Sequence, residues 1–332
     1  MSPPVSACNS VMPTWRSARS LTADVLLLRS LPMKIGFSSL VCPAWNLETM
    51  VANAAKFGFD GIELRGLCGE LHLPLVPEIA RDPDAVRRLF AENNVDLVCL
   101  GASATLTSKT PRMLAQQKGA VTDFMELASK LGCPYVRIFV GEVDRRDNQR
   151  AALSRIATAL IALAPIAERL GVTLLVENGG DFPGSADMWF LIDAVSHPSV
   201  GCCWNQCHAM TLGERATNSI PRLGNKIGMV HVCDGQFDQA GVMLRYAPPG
   251  EGDIGARRQI EILKGLLYDR YLMFEWPKLW IDSLPAPESV LPKVAKFLRE
   301  AIDAKQPILS AYKGDKYAPK LAARSIPTDA IS

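Results

Sequence analysis

Residues 148–178 read NQRAALSRIATALIALAPIAERLGVTLLVEN, and this stretch holds one complete unit of the repeat that decides the fold. In Asn148–Leu170 the apolar residues recur at helical spacing, and after Gly171 the chain continues as the short apolar run Thr173–Glu177. A helical segment that leads at once into a short, β-branched and apolar run predicts a helix followed by a buried parallel strand.

The same alternation recurs along most of the chain. Segments with helical spacing separate eight short apolar runs, which are Lys34–Ser38, Gly61–Leu64, Asp96–Leu100, Tyr135–Phe139, Thr173–Glu177, Val200–Trp204, Met229–Val232 and Leu272–Glu275. Eight parallel strands joined by helices close into a barrel, so we predict a (β/α)8 TIM barrel. No glycine-rich G-x-G-x-x-G follows the first run, which argues against a dinucleotide-binding open sheet.

The two ends of the chain lack this pattern. Residues 1–32 are rich in Ser and Pro, and we expect an N-terminal extension that is disordered or precedes the true start of the protein. Three arginines against one acid in this segment leave a transit peptide as the alternative. We therefore predict a barrel domain over residues 33–303 and a C-terminal tail over residues 304–332.

Composition narrows the class of protein. A net charge of +2 over 332 residues gives no electrostatic attraction for nucleic acid or an anionic membrane surface. No apolar run approaches the roughly 20 residues that span a bilayer. Most of the nine cysteines lie in apolar segments, which suits small buried side chains in a reducing compartment, and we expect a cytoplasmic protein. Cys203 and Cys207 have no second pair at zinc-site spacing.

Polar residues end four consecutive apolar runs. Glu177, Asn205, His231 and Glu275 stand where the fifth to eighth runs stop. The carboxyl ends of barrel strands lie side by side, and ionisable groups there are costly unless they are paired or bind a metal. Two carboxylates, an imidazole and an amide oxygen suit Mn²⁺, Mg²⁺ or Co²⁺, so we predict one divalent-metal site.

These segments carry a resemblance to a known family. Val176-Glu177-Asn178, Trp204-Asn205-Gln206-Cys207-His208, Val230-His231-Val232-Cys233-Asp234, Gly250-Glu251-Gly252-Asp253-Ile254 and Phe274-Glu275 resemble the sugar phosphate isomerase/epimerase superfamily of xylose isomerase-like barrels. The resemblance covers about residues 34 to 303. It implies a Glu, Asp, His and Glu site holding one divalent ion, with Mn²⁺ expected first. Glu177, His231 and Glu275 match directly, whereas Asn205 replaces the usual Asp and brings no charge.

The resemblance also implies roles for these residues. Glu177 and Glu275 are expected to serve both as ligands and as the acid/base pair, and the cation to stabilise an enediolate. His208 is expected to face substrate oxygens. Glu251, in a glycine-flanked loop, is expected to orient the substrate or His231, with a solvated loop acid as the alternative.

Three further residues are substrate-binding candidates. Glu63 and Arg137 end or line the second and fourth strands, where we expect a mutual ion pair bracing the barrel, with substrate contact as the alternative. Trp45 lies near a strand end and offers a flat face to sugar C–H groups, with a core position as its alternative.

The predicted function is that of a metal-dependent isomerase or epimerase of a sugar or polyhydroxy ketone. No cluster of Lys or Arg follows the last two strands, so we expect an unphosphorylated carbohydrate-like substrate. One alternative is a lyase, a dehydratase or a C-glycoside-cleaving subunit with a second chain; another is a metal-poor binding paralogue, motivated by Asn205. A homo-oligomer is compatible with each. Four histidines and a near-neutral charge exclude a multi-zinc DNA-repair endonuclease.

Overall fold

Eight strands hydrogen-bond side by side into a closed parallel barrel in the computed structural model, which describes residues 33–304. Around the barrel these strands are β1 (Lys34–Ser38), β2 (Gly61–Leu64), β3 (Asp96–Gly101), β4 (Tyr135–Phe139), β5 (Thr173–Glu177), β6 (Val200–Asn205), β7 (Ile227–Val232) and β10 (Tyr271–Phe274), and β10 pairs back with β1. The predicted (β/α)8 barrel is confirmed, because each of the eight apolar runs forms one of these strands.

Helices follow the strands and surround the barrel. They are α1 (Leu47–Phe57), α2 (Pro77–Ala80), α3 (Pro83–Glu92), α4 (Pro111–Leu131), α5 (Gln149–Arg169), α6 (Ser185–Val195), α7 (Gln206–Met210), α8 (Ala216–Leu223), α9 (Ala256–Gly265) and α10 (Pro287–Asp303). Local sequence sets their bounds, as α1 illustrates. Asn46 accepts a hydrogen bond from the backbone N–H of Thr49 at its start, and Gly58 takes a left-handed φ of 80° at its end.

The barrel interior is filled by an apolar cluster, which we call the barrel plug. Its members are Val98, Cys99, Leu175, Cys203, Met229 and Met273. Successive side chains of a strand point to opposite faces, so the residue two positions after a plug residue also points inward. This alternation places the polar residues that end β5, β6, β7 and β10 on top of the plug, at the carboxyl ends of the strands, which we call the barrel mouth.

Helix α5 stands out among the described helices by its length and apolar composition. It has 21 residues and is apolar enough to cross a membrane by length and composition alone, although polar and charged residues interrupt its sequence. Half of its most apolar window is buried within the protein. Its Leu153, Ile156 and Leu160 belong to the main core, so α5 is a core helix of the barrel.

A hairpin that the sequence analysis did not predict lies between β7 and α9. Its strands β8 (Asp234–Phe237) and β9 (Met243–Ala247) pair antiparallel, outside the barrel sheet. The carboxylate of Asp234 accepts hydrogen bonds from the backbone N–H groups of Gly250 and Ile254 at 2.8 and 3.1 Å. These bonds fold the chain after β9 back against the end of β7.

The strands and helices that the structure describes run from Lys34 at the start of β1 to Asp303 at the end of α10, and the domain bounds 33–303 stay a prediction. The expected N-terminal extension lies outside the described residues, and so does the expected tail apart from Ala304, which follows α10.

Candidate active site

The four residues predicted from strand ends converge at the barrel mouth. The Nδ2 of Asn205 lies 3.0 Å from Oε1 of Glu177 and 2.8 Å from Oε2 of Glu275. The Nδ1 of His231 lies 2.8 Å from the same Glu177 oxygen and 3.8 Å from Oε1 of Glu275. Each side chain follows a plug residue by two positions, so the alternation of the strands brings them to one point.

Asn205 presents its amino group, not its oxygen, to the two carboxylates. Its Oδ1 accepts a hydrogen bond of 3.0 Å from the backbone N–H of Cys207, where the chain turns from β6 into α7. A backbone N–H only donates, so the amide oxygen must face it and the NH₂ must face Glu177 and Glu275. The oxygen that the sequence analysis expected as a metal ligand is therefore turned away from the site.

His231 lies between two carboxylates. Its Nε2 is 2.9 Å from Oε2 of Glu63, opposite the Nδ1 contact with Glu177. Burial lowers the pKa of this ring, but the neighbouring carboxylates outweigh it and hold the pKa well above its usual range. The Glu63 contact fixes the ring so that Nδ1 faces the site, an arrangement found for metal-binding histidines.

The expected ion pair between Glu63 and Arg137 is present, and it extends to Glu177. The Nε of Arg137 lies 3.4 Å from Oε1 of Glu63 and 3.1 Å from Oε2 of Glu177, without a directed hydrogen bond to either. Burial raises a carboxyl pKa, but His231 and Arg137 together lower the pKa of Glu177, and of Glu63, below the usual range. Both acids are therefore ionised at neutral pH.

Glu275 differs from Glu177 in its electrostatics. Its burial and the nearby Glu177 carboxylate raise its pKa, although His231 opposes the shift. Two neighbouring carboxyl groups whose pKa values move in opposite directions are suited to separate acid and base roles.

The remaining predicted residues lie at different distances from this cluster. His208 on α7 is at its rim, with Nε2 3.9 Å from Oε1 of Glu177 and its ring edge-on to Phe139. Trp45 donates its indole N–H to Glu288 on α10 at 3.2 Å, and Glu251 is exposed in the loop after β9. Within the described part of the chain, neither Trp45 nor Glu251 is bonded to the cluster.

Arg65, which directly follows β2, is a site residue that was not predicted from the sequence. Its buried side chain crosses the barrel mouth next to Glu63 and Arg137. Like the other candidates, Arg65 is a charged residue at the point where an apolar run ends. This pattern could have identified it, but the prediction for this strand named only Glu63.

A disulfide also adjoins the site. Cys207 and Cys233 are paired, and Sγ of Cys233 lies 3.4 Å from Oδ1 of Asn205. This pair is an exception to the expectation that the cysteines serve as small apolar residues. The other six described cysteines are free, and all except Cys68 are buried.

The divalent metal implied by the family resemblance fits part of this donor set. Glu177, His231 and Glu275 direct two carboxylates and an imidazole nitrogen at one another, and the ligand atoms of Glu177, His208 and Glu275 lie within 4.8 Å of one another. Asn205 does not fit, because an amide NH₂ has no lone pair to offer. Cys203 also lies close to Glu177 and His231, but burial raises the pKa of its thiol to about 12, so it stays neutral.

Comparison with known proteins agrees with the barrel. Residues 51–301 match the family model of the xylose isomerase-like TIM barrel. The chain is 22% identical over 286 residues to the uncharacterized protein ML2432 of Mycobacterium leprae, which covers 80% of this chain and 97% of that protein.

Two solved structures are similar in fold. The IolI protein with a bound zinc atom has a TM-score of 0.69 at 20% identity, covering 81% of this chain and 98% of that one. L-Ribulose 3-epimerase has a TM-score of 0.68 at 18% identity, covering 86% of this chain and 100% of that one.

Proposed function

The chain belongs to the xylose isomerase-like TIM-barrel family, and on that premise we propose that it is an isomerase or epimerase of a polyhydroxy ketone. One observation carries the proposal: Glu177 and Glu275, with opposite pKa shifts, face a common point at the barrel mouth, where both accept hydrogen bonds from Asn205. The sugar 3-epimerase among the structures of similar fold supports the substrate class.

The two carboxyl groups supply the proton transfers. Glu177 is kept ionised by Arg137 and His231, so it starts the turnover as the base that removes a proton beside the substrate carbonyl. Glu275 holds a proton more readily and returns one to the substrate. Asn205 fixes the separation of the two groups by donating to both.

A divalent cation is part of this proposal. Glu177, His231 and Glu275 would hold it, with His208 within reach as a further ligand, and it would stabilise negative charge on the substrate oxygen. Glu63 acts through His231, because its contact with Nε2 keeps Nδ1 directed at the site.

Exchange of solvent deuterium tests the proposal. The protein is incubated in deuterated water with neutral and acidic polyhydroxy ketones, with and without Mn²⁺, Co²⁺ or Zn²⁺, and the products are analysed by NMR and mass spectrometry. We expect deuterium at the carbon next to the carbonyl, and a loss of roughly 10²- to 10⁴-fold in exchange rate in Glu177→Gln and Glu275→Gln. Glu92→Gln, which removes an exposed charge on α3, is the matched control.

Absence of exchange with every ketone and every metal would contradict the proposal and favour a binding paralogue. Exchange that persists in both glutamine variants would contradict the assignment of the base. A product that has lost water or a glycosidic group would place the same carbanion chemistry in a lyase.

A further inference from the structure

Arg65 is a buried cation that forms no salt bridge with the described residues. Only 8% of the surface of Arg65 is exposed, and no ion pair joins it to an acid among residues 33–304. Its Nη2 donates to the hydroxyl of Ser103 at 2.8 Å, whereas Nη1 is buried without a hydrogen-bond partner. Burying a guanidinium without a directly paired anion is costly, and the carboxylates of Glu63, Glu177 and Glu275 offset this cost only from a longer range.

The charge lies within the candidate active site. A Cβ added to Gly101 on β3 would come within 2.8 Å of Cδ of Arg65, 3.0 Å of Oε1 of Glu63 and 3.2 Å of Nη2 of Arg137. The aliphatic part of the Arg65 side chain therefore passes directly beside the Glu63–Arg137 pair, in the space that a side chain at Gly101 would fill. Burial and Arg137 lower the pKa of Arg65 to about 10 against the opposing effect of the site carboxylates, so it still carries its charge at neutral pH.

The surroundings of Arg65 are suited to receive a ligand. Its guanidinium carbon lies 5.8 Å from the ring centre of Trp280, which is 56% exposed in the segment after β10. Ser103, its hydrogen-bond partner, is also exposed. On the neighbouring strand, the hydroxyl of Ser38 is a second buried polar group without a partner, and Ser38 pairs in register with Glu63. Both unsatisfied groups can donate a hydrogen bond, as the binding of an anion requires.

We propose that Arg65 binds a carboxylate of the substrate, so that the enzyme acts on an acidic polyhydroxy ketone such as a keto-aldonate. This inference rests on the proposed function for the reaction but names the substrate class. The planar fork of a guanidinium matches a carboxylate with two parallel hydrogen bonds. The other guanidinium of the site, Arg137, already contacts Glu63 and Glu177, so Arg65 is the guanidinium of the described site that is left to bind a carboxylate.

Binding of unreactive analogues tests this without turnover. D-Gluconate and D-glucitol have the same six-carbon polyol chain and differ in the carboxylate, and their dissociation constants are measured by calorimetry on the purified full-length protein. We expect gluconate to bind at least about 10-fold more tightly than glucitol. In Arg65→Gln this preference should disappear, and in Arg65→Lys it should be reduced because the charge remains but the fork is lost. Arg88→Gln, which removes an exposed charge on α3, should keep the preference.

Equal binding of the two analogues, or an unchanged preference in Arg65→Gln that is folded by circular dichroism, would overturn the proposal. Should Arg65→Gln fail to fold, a preference in Arg65→Lys equal to that of the native protein would overturn it as well. Arg65-dependent binding of inorganic phosphate that is tighter than the binding of gluconate would overturn the carboxylate assignment and indicate a phosphate group in the substrate. Deuterium exchange with neutral ketones but not with acidic ones would overturn this inference and leave the proposed function standing. Arg65-dependent binding of gluconate without exchange in any ketone would contradict the proposed function and leave the anion site standing.

Discussion

Asn205→Asp is the most informative single change at the barrel mouth. The NH₂ of Asn205 donates to Oε1 of Glu177 and Oε2 of Glu275, at 3.0 and 2.8 Å. The hydrogen bond from Cys207 fixes which side of the side chain faces the site, so the replacement puts a carboxylate oxygen where the NH₂ now lies. In the absence of a cation, three carboxylates then meet.

The expected loss in the free energy of unfolding follows from the two lost hydrogen bonds. Hydrogen bonds to charged groups contribute about 1.5 to 3 kcal/mol each. A new Asp confined between two carboxylates takes up a proton and recovers one of these bonds, so we expect a net loss of about 1.5 to 3 kcal/mol in the metal-free protein. At roughly 2 °C per kcal/mol for a domain of this size, Tm falls by about 3 to 6 °C. A divalent ion at 1,000 times its Kd adds about 4 kcal/mol and offsets the loss.

Thermal unfolding in EDTA and in Mn²⁺, together with metal content after dialysis, measures both effects. Asn218→Asp makes the same chemical change at an exposed position of α8 and should leave both unchanged. An Asn205→Asp protein that is as stable as the native one in EDTA, and that retains no more metal, would refute the orientation of the amide and its place beside the metal ligands.

Replacing Glu63 by Gln removes the carboxylate that contacts His231, and we expect the affinity for a divalent ion in equilibrium titrations to fall by about 10- to 100-fold. The folded-state pKa of Glu63 lies below 4.5, so the unfolded chain takes up this proton first as the pH falls, and the stabilisation present above that pH is lost below it. The free energy of unfolding between about pH 3 and 6 should therefore depend less on pH in Glu63→Gln than in the native protein. Gly101→Ala places a methyl group 2.8 Å from Cδ of Arg65, and calorimetry should show weaker gluconate binding with a loss of stability of only about 1–3 kcal/mol.

The backbone of the site could be predicted from the sequence because buried parallel strands have a simple signature. Thr173–Glu177 is apolar up to its last residue, since both faces of a barrel strand are buried, and the strand observed has the same bounds. The inward direction of Glu177 follows from that of Leu175 two positions earlier. Convergence at the barrel mouth is then a consequence of barrel closure, which brings consecutive strand ends together.

What the sequence could not supply depends on contacts between segments. The orientation of the Asn205 amide is set by a turn into the five-residue helix α7, whose existence no periodicity indicates. The position of Arg65 depends on the missing side chain of Gly101, which belongs to a different strand. The hairpin formed by β8 and β9 depends on backbone groups that reach Asp234 from 16 to 20 residues later in the chain.

Asn205 and Arg65 both make the net charge of the site more positive. Asn205 contributes no charge where the family resemblance implies an aspartate, and Arg65 adds a positive charge that forms no salt bridge with the described residues. With His231 neutral as a metal ligand, three carboxylates, two guanidinium groups and a divalent cation would sum to one positive charge. An aspartate at position 205 would cancel that charge within the protein. With Asn205, a substrate carboxylate would complete the balance, so the proposed acidic substrate and a weaker metal site would both follow from the amide at this position.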